Sequence, residues 1–494
     1  MKLDYGNIIA VVRAKRQLAW ERIRSRSRLF DQYHPAASPS ELLRRVCVLA
    51  SSSRGGSSVT AEMLQWQGSD CSSPKGKMLS LPGEEKPMLI LAGFAFPARR
   101  ERFDDLTELD AGNASNVGVL MSEMVSEVGV PAAICNDMEL YALQLYRRLL
   151  LQWPVHLVHF EPDIAVTKIK EALLNAFPHG YLDSPRSRQD VLAAIADSFP
   201  FVRKSLYDCW PAHIPGKTAP GPENDWHIEE TPFILPPPWQ NATHDDWTQG
   251  LLLLRDPSNA WRLPFWRVVF GKQKIEVLHL IRDPRESIQG LCDGWNYPLG
   301  FQTMPSGRRL SIVGYTDSRC GSGVDWKGHS LNFSISESLS RSLLTNREVI
   351  SLVGICSRQW LESHSAILFE CARLRLPRIS VSFTELRDSP ESTFRHVCDS
   401  FGLEVSKSGL AFAQAFAERW VMATTTSGRL ARDRWKDSPF AEEILQVTSS
   451  SDFVALSTRL GIPPFLTERA PREALLQAEE ESISPPTMFE LNHA

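Results

Sequence analysis

The sequence has no Cys-x-x-Cys pair, no apolar run long enough for a membrane and no excess of basic charge, and each absence closes a class of function. The nine Cys stand apart as Cys47, Cys71, Cys135, Cys209, Cys292, Cys320, Cys356, Cys371 and Cys398. No His is spaced to complete a zinc site with them, so no metal is expected, and we read them as reduced thiols of a cytoplasmic protein. No stretch approaches the roughly 18 to 20 uninterrupted apolar residues of a membrane helix, and the N-terminus lacks the charged, apolar and small-residue pattern of a secretory leader. Neither a membrane span nor secretion is expected. Lys and Arg total 54 against 58 Asp and Glu, a formal net charge of -4, so no global positive field exists to hold nucleic acid. What is present is ordinary for a soluble globular protein: 494 residues, 43% hydrophobic and 23% charged, enough for a large core. There is no internal repeat and no low-complexity tract.

Periodicity and punctuation divide the chain. Residues 1–40 read as a basic, weakly amphipathic helix, with Arg13, Lys15, Arg16, Arg22, Arg24, Arg26 and Arg28 among Ile8, Ile9, Val12, Leu18 and Ile23. A membrane-surface or partner-binding arm is one reading; the plainer one, which we adopt, is a helix packed on the domain with its charged face in solvent. The main domain is expected over 41–466, with a helical insertion at about 100–225 that includes Met138–Trp153 and Asp190–Phe199. Residues 211–247 are rich in Pro, Trp, His and Asp and read as a loop, as do the Gly- and Ser-rich residues 297–336. The acidic segment 467–494 reads as a flexible tail. Three short β-branched apolar runs, Arg45–Ala50 (RVCVLA), Ile275–Ile281 (IEVLHLI) and Ile379–Phe383 (ISVSF), read as buried strands. Separated by long helical stretches, they indicate an α/β fold with a parallel sheet covered on both faces.

Chemistry concentrates where two of these strands end. After Arg45–Ala50 comes Ser51-Ser-Ser-Arg-Gly-Gly-Ser-Ser58, then helical residues. Small residues between a strand and a helix let several backbone N–H groups converge on one anion. A Walker A loop would need GxxxxGK[ST] with a Lys for the terminal phosphates; this turn has no Lys, only Arg54. Hydrolysis of ATP or GTP with Mg²⁺ is therefore disfavoured, and binding of a phosphorylated or sulfated nucleotide is not. The second strand runs into Arg282-Asp-Pro-Arg285, which would set the Arg282 guanidinium at the sheet edge where α/β folds bind ligands. Helix-start Pro284 with Asp283 as a cap is the purely structural reading of that turn.

These segments resemble the sulfotransferases that use 3′-phosphoadenosine 5′-phosphosulfate, nearest in motif style to the protein-tyrosine and bacterial branches. Val46–Glu62 (VCVLASSSRGGSSVTAE) is similar to their 5′-phosphosulfate loop, and Glu276–Ser287 (EVLHLIRDPRES) to their 3′-phosphate strand and RDPR turn. Leu251–Phe270 is similar to a strand, Lys-Asp-Pro turn and helix, with Arg255 in place of Lys. Ser382-Phe-Thr-Glu-Leu386, Ser389-Pro390 and Ser400-Phe-Gly-Leu403 match the closing blocks, and Ser427-Gly-Arg429 with Trp435-Lys436 the late basic loop. Together the blocks cover most of 42–465 and leave the insertion unmatched.

The resemblance implies a three-layer sandwich of the P-loop nucleotide-kinase type, with a central, mainly parallel sheet and an added helical insertion. It implies in-line, metal-independent transfer of a sulfuryl group from the donor to a hydroxyl or amine of a small-molecule, carbohydrate or peptide acceptor. Ser53, Arg54, Gly55, Gly56, Ser57 and Ser58 would hold the 5′-phosphosulfate, Arg54 also offsetting charge on the leaving phosphate. Arg282 and Ser287 would hold the 3′-phosphate, with Arg429 or Arg432 closing over it. Where the family places a second 3′-phosphate ligand, a Ser eight positions after the first Arg, this chain has Gly290.

An acceptor hydroxyl needs a base. Gly83-Glu84-Glu85 resembles the Gly-Glu-Glu element of the tyrosine-sulfating branch, which makes Glu85 the candidate; an ordinary exposed charged turn is the alternative. His227, His244 and His279 are rivals, of which His279 reads as a core histidine within a strand. Of the fourteen Trp, Trp226, Trp239, Trp247, Trp261, Trp266 and Trp295 gather near 226–295, read as packing in preference to an aromatic acceptor pocket. Two other functions fit parts of the sequence: a P-loop small-molecule kinase, and a silent protein that uses the fold to bind a nucleotide or a partner.

Overall fold

The computed structural model describes residues 5–26, 43–71, 73–95, 105–132, 135, 137–152, 157–176, 194–195, 197–199, 237–271, 274–296, 325–326, 329–330, 351–415 and 433–462. In chain order the strands are β1 (Arg45–Ala50), β2 (Met78–Ser80), β3 (Gly129–Pro131), β4 (Trp239–Asn241), β5 (Leu251–Arg255), β6 (Ile275–Ile281), the small hairpin β7 (Asp325–Trp326) and β8 (His329–Ser330), and β9 (Arg378–Ser382). The helices are α1 (Tyr5–Arg26), α2 (Ser57–Gln65), α3 (Lys86–Leu91), α4 (Ala114–Glu127), α5 (Met138–Gln152), α6 (Pro162–Ala176), α7 (His244–Gln249), α8 (Leu263–Phe270), α9 (Pro284–Asn296), α10 (Leu352–Leu374), α11 (Phe383–Asp388), α12 (Pro390–Ser400), α13 (Lys407–Gln414), α14 (Ala441–Thr448) and α15 (Ser451–Arg459).

The fold is α/β, built on a seven-stranded sheet in the order β4-β3-β2-β5-β1-β6-β9. The central strands are parallel, with Arg45 beside Leu251 on one side of β1 and Ala50 beside His279 on the other. Most positions of β1, β5 and β6 are apolar on both faces because both faces are covered. Val46, Val48, Ala50, Leu252, Leu254, Ile275 and Val277 meet a layer that includes α1, α3, α5, α8 and α10. Cys47, Leu49, Leu251, Leu253, Leu278 and Leu280 meet α2, α12 and α13 on the other face. A further cluster joins Ile281 and Ile288 to Trp360, Trp435, Ile444 and Phe453.

The insertion is helical through α4, α5 and α6, and it also supplies β3, which pairs antiparallel with both β2 and β4. Within the stretch read as a loop at 211–247, residues 237–247 instead form β4 and the start of α7. The Thr243 side chain accepts from the Asp246 N–H while Asp246 accepts from the Thr243 N–H, a capping box that overrides the Pro-rich context before it. Residues 211–236 of that stretch, the loop at 297–336 apart from β7 and β8, residues 190–193 and 196 of the expected helix Asp190–Phe199, and the tail at 467–494 lie outside the described residues.

Helix α1 packs on the domain through Ile9, Val12, Ala19 and Ile23, at the spacing of one helical face. One of its arginines departs from the expected solvated face. Arg16 is fully buried, donating to Glu123 and Glu127 of α4 and to the backbone oxygen of Arg147 in α5. Two carboxylates and a carbonyl offset the desolvation of this cation. Trp239, Trp247, Trp261 and Trp266 are buried; Trp239 Nε1 donates to the Glu127 backbone carbonyl at 2.9 Å and Trp266 Nε1 to Asn259 Oδ1 at 2.9 Å. These four contribute to packing; Trp226 and the Trp295 side chain are outside the described residues. Among the described residues no helix is long and apolar enough to cross a membrane.

Candidate active site

From β1 the chain runs to β2, β3 and β4 on one side, returns to β5 beside β1 and then crosses to β6 and β9 on the other side, so the crevice beyond the carboxyl end of β1 is the topological switch point. Five turns or helix starts converge on that edge: 51–56 after β1, 81–85 after β2, 256–262 after β5, 282–283 after β6 and Phe383 after β9.

The first turn is tightly wound. Gly55 N–H donates to the Ser52 carbonyl at 3.0 Å, and Arg54 and Gly56 both take left-handed backbone angles, φ 62° and 96°. A Cβ at Gly56 would lie 2.3 Å from the Phe383 ring, so this position demands glycine on two counts. Helix α2 starts at Ser57, and the N–H groups of its first turn have no acceptor within the helix. Ser53 is buried and its Oγ accepts from Gln359 Nε2 of α10 at 3.3 Å. Ser52 is fully buried with its hydroxyl unpartnered among the described residues.

The RDPR turn packs directly against it. Arg282 Nη1 donates to the Arg54 carbonyl at 2.9 Å, its Nε donates to Glu286 Oε2 at 3.1 Å, and its guanidinium lies 4.9 Å over the Phe383 ring. Trp360 Nε1 donates to the Arg282 carbonyl at 3.3 Å. Glu286 is shared with Arg387 of α11 at 3.0 Å, and Arg285 pairs with Asp283 at 2.6 Å while lying 5.0 Å over Trp435. Ser287 is fully buried and its hydroxyl has no partner among the described residues. An ideal Cβ at Gly290 would sit 3.4 Å from Arg54 Cβ, so the position is next to the first turn, with room for a small side chain in ordinary contact. Arg429 and Arg432 lie outside the described residues; Arg434, just beyond them, is close enough to act electrostatically on Arg282.

Glu85 is not on an exposed charged turn. Its carboxyl is fully buried just before α3, with Oε1 accepting from the Arg255 N–H and Oε2 unpartnered among the described residues. Burial first, and then the neighbouring Asp256 carboxylate, push Glu85 up to about 8. The group therefore carries its proton through much of the neutral range and is a stronger base than an ordinary carboxylate once ionised.

The rival histidines separate by place. His244 begins α7, the helix that leads into β5, and so lies at the amino edge of the sheet, away from the crevice. His279 is fully buried within β6, 2.8 Å from His364 Nδ1 through Nε2, with Arg378 Nη1 3.1 Å from its Nδ1. Burial holds His364 down to about 3 and His279 well below the usual imidazole range, so this is a neutral core pair. His227 lies outside the described residues.

Sequence reasoning passed over Arg255 as a site residue. It ends β5, is buried, and reaches from beside Glu85 to the first turn of α2, with Nη1 3.4 Å from the Ser58 carbonyl. Its signal was the basic residue before Asp256-Pro257. Gln359 and Trp360 were also missed, since nothing in a helical pattern marks a side chain that braces a distant turn.

No protein-family model matches the chain, and no curated protein does. Two solved structures are similar to it. The sulfotransferase domain from the Synechococcus PCC 7002 olefin synthase is 14% identical, covering 92% of this chain and 100% of that one, with a TM-score of 0.28. The sulfotransferase domain from the curacin biosynthetic pathway is 10% identical, covering 85% of this chain and 98% of that one, with a TM-score of 0.31. At those values the likeness carries no functional argument.

Proposed function

We propose that the protein is a sulfotransferase, with 3′-phosphoadenosine 5′-phosphosulfate as donor and a hydroxyl or amine as acceptor. The observation that carries this reading is the coupling of two anion-handling turns at one sheet edge, Arg282 of one bonded to the Arg54 carbonyl of the other, with a buried hydroxyl in each, Ser52 and Ser287, that has no partner among the described residues. Buried hydroxyls without partners are costly unless a ligand satisfies them. They fit a donor that is anionic at two separated positions.

In this reading the first-turn amides of α2 and Arg54 hold the 5′-phosphosulfate, with Arg255 alongside, and Arg282 and Ser287 hold the 3′-phosphate. Arg429, Arg432 or Arg434 closes over it. Glu85, once ionised, takes the acceptor proton as the acceptor oxygen or nitrogen bonds to sulfur and the sulfur–oxygen bond to the leaving phosphate breaks, leaving adenosine 3′,5′-bisphosphate. The cations and amides of the crevice can offset the phosphate charge without a metal. The first test is calorimetric titration with adenosine 3′,5′-bisphosphate against 5′-AMP and ATP with Mg²⁺. Micromolar binding that depends on the 3′-phosphate supports the assignment; a preference for ATP with Mg²⁺ returns the kinase reading. A nucleotide-binding protein without turnover is favoured by Gly290 and by the closure of Glu85 from solvent, and it predicts binding with no sulfated product from any acceptor.

A further inference from the structure

Glu85 has a buried acidic neighbour with its own counter-ion. The N–H that Glu85 Oε1 accepts belongs to Arg255, and the next residue is Asp256. Asp256 Oδ1 accepts from the Ser258 N–H at 2.8 Å, and its Oδ2 lies 2.8 Å from Arg262 Nη1. Glu85, Asp256 and Arg262 are 0%, 1% and 0% exposed, so water screens none of them. Two carboxyl groups in one dry site do not both ionise readily, and the one with the fixed cation keeps the charge.

We propose that Asp256, clamped by Arg262, is a positioning residue that leaves Glu85 as the member of this buried pair that gives up and takes back a proton. The inference rests on the reading of Glu85 as the base. The directions of titration agree with the geometry: burial pushes Asp256 up, but Arg262, Lys86 and the Ser258 N–H outweigh it and hold Asp256 below its usual range, while Glu85 is raised. Among the described residues, the other charged groups about Glu85 are Glu84 and Lys86 in its own segment, Arg255, whose guanidinium reaches toward Ser58, and Arg148 of α5, whose guanidinium lies against Gly83. Glu84 raises Glu85 further, and the Arg255 N–H opposes the rise.

The test is an infrared pH titration of the full chain, following the carbonyl band of protonated carboxyl groups and assigning Glu85 by the band lost in Glu85→Gln. Asp256→Asn should lower the midpoint of that band by about one pH unit or more, and Asp256→Glu should restore it toward the parent value. Arg262→Gln, which frees Asp256 to share the proton, should move it as well, which supplies a second variant should Asp256→Asn fold poorly. A midpoint unmoved by Asp256→Asn or Arg262→Gln, or no band lost in Glu85→Gln, overturns the proposal. The donor reading fails separately: no calorimetric binding of adenosine 3′,5′-bisphosphate beside the expected carboxyl shifts would sink the sulfotransferase and leave the Asp256–Glu85 relationship standing.

Discussion

Arg282 Nη1 donates to the carbonyl oxygen of Arg54 at 2.9 Å, so the RDPR turn and the small-residue turn form one bonded unit across adjacent strands. A change at either arginine is therefore felt at both proposed anion positions.

Arg282→Ala removes a charge-assisted ligand and the tie to the Arg54 turn together. Affinity for adenosine 3′,5′-bisphosphate should fall roughly 10- to 100-fold in calorimetric titration, since a charged hydrogen bond contributes about 1.5–3 kcal/mol. Affinity for 5′-AMP should fall less. Equal losses for both nucleotides would place Arg282 away from the 3′-phosphate.

Gly290 tests the departure from the pattern of the sulfotransferases that the sequence resembles. A Ser at this position would sit in ordinary contact with Arg54 Cβ and replace a glycine inside α9 by a better helix former. Gly290→Ser should keep or raise the melting temperature and tighten adenosine 3′,5′-bisphosphate binding several-fold, about 1 kcal/mol for a new hydrogen bond. Weaker binding would mean that the added side chain displaces Arg54.

Glu85 should make stability depend on pH in a defined direction. Its folded-state value is raised, so the folded protein binds a proton that the unfolded chain releases, and the parent loses stability as pH climbs from the ordinary carboxylate range toward about 8. Glu85→Gln removes that loss. Its melting temperature should exceed the parent's by a few degrees at pH 8, on the order of 1 kcal/mol or more, and by little at pH 5. A constant difference across pH would show that Glu85 does not titrate.

Gly56→Ala should destabilise by about 2 kcal/mol or more in urea denaturation, because a left-handed backbone angle and the Phe383 ring both exclude a Cβ. Adding Phe383→Ala should relieve the steric part and leave the backbone part. Full tolerance of Gly56→Ala would mean that the turn is free to rearrange.

The fold was legible where both faces of a strand are buried. RVCVLA and IEVLHLI are apolar at nearly every position, and their observed bounds match the expected ones. β9 ends at Ser382, one residue early, because the Ser382 side chain caps α11. The three-residue strands β3 and β4 were invisible, being too short for any period and held by pairing with partners far away in the chain. At the crevice, strand ends disclosed Arg54 and Arg282, since a residue's place after a strand fixes the edge it occupies. The burial of Glu85 and the Arg262 clamp on Asp256 depend on packing between segments, which local pattern does not encode.

The sheet order also constrains how the chain comes to be folded. Both hydrogen-bonding neighbours of β1 follow it by roughly 200 residues, and β2 likewise waits for β5. During synthesis the first strand leaves the ribosome without either neighbour until residue 255 of β5 has emerged, and gains the second only with residue 281 of β6. The sheet around β1 therefore completes late in synthesis, and the nascent segment that carries β1 is the part a chaperone would need to shield from aggregation meanwhile.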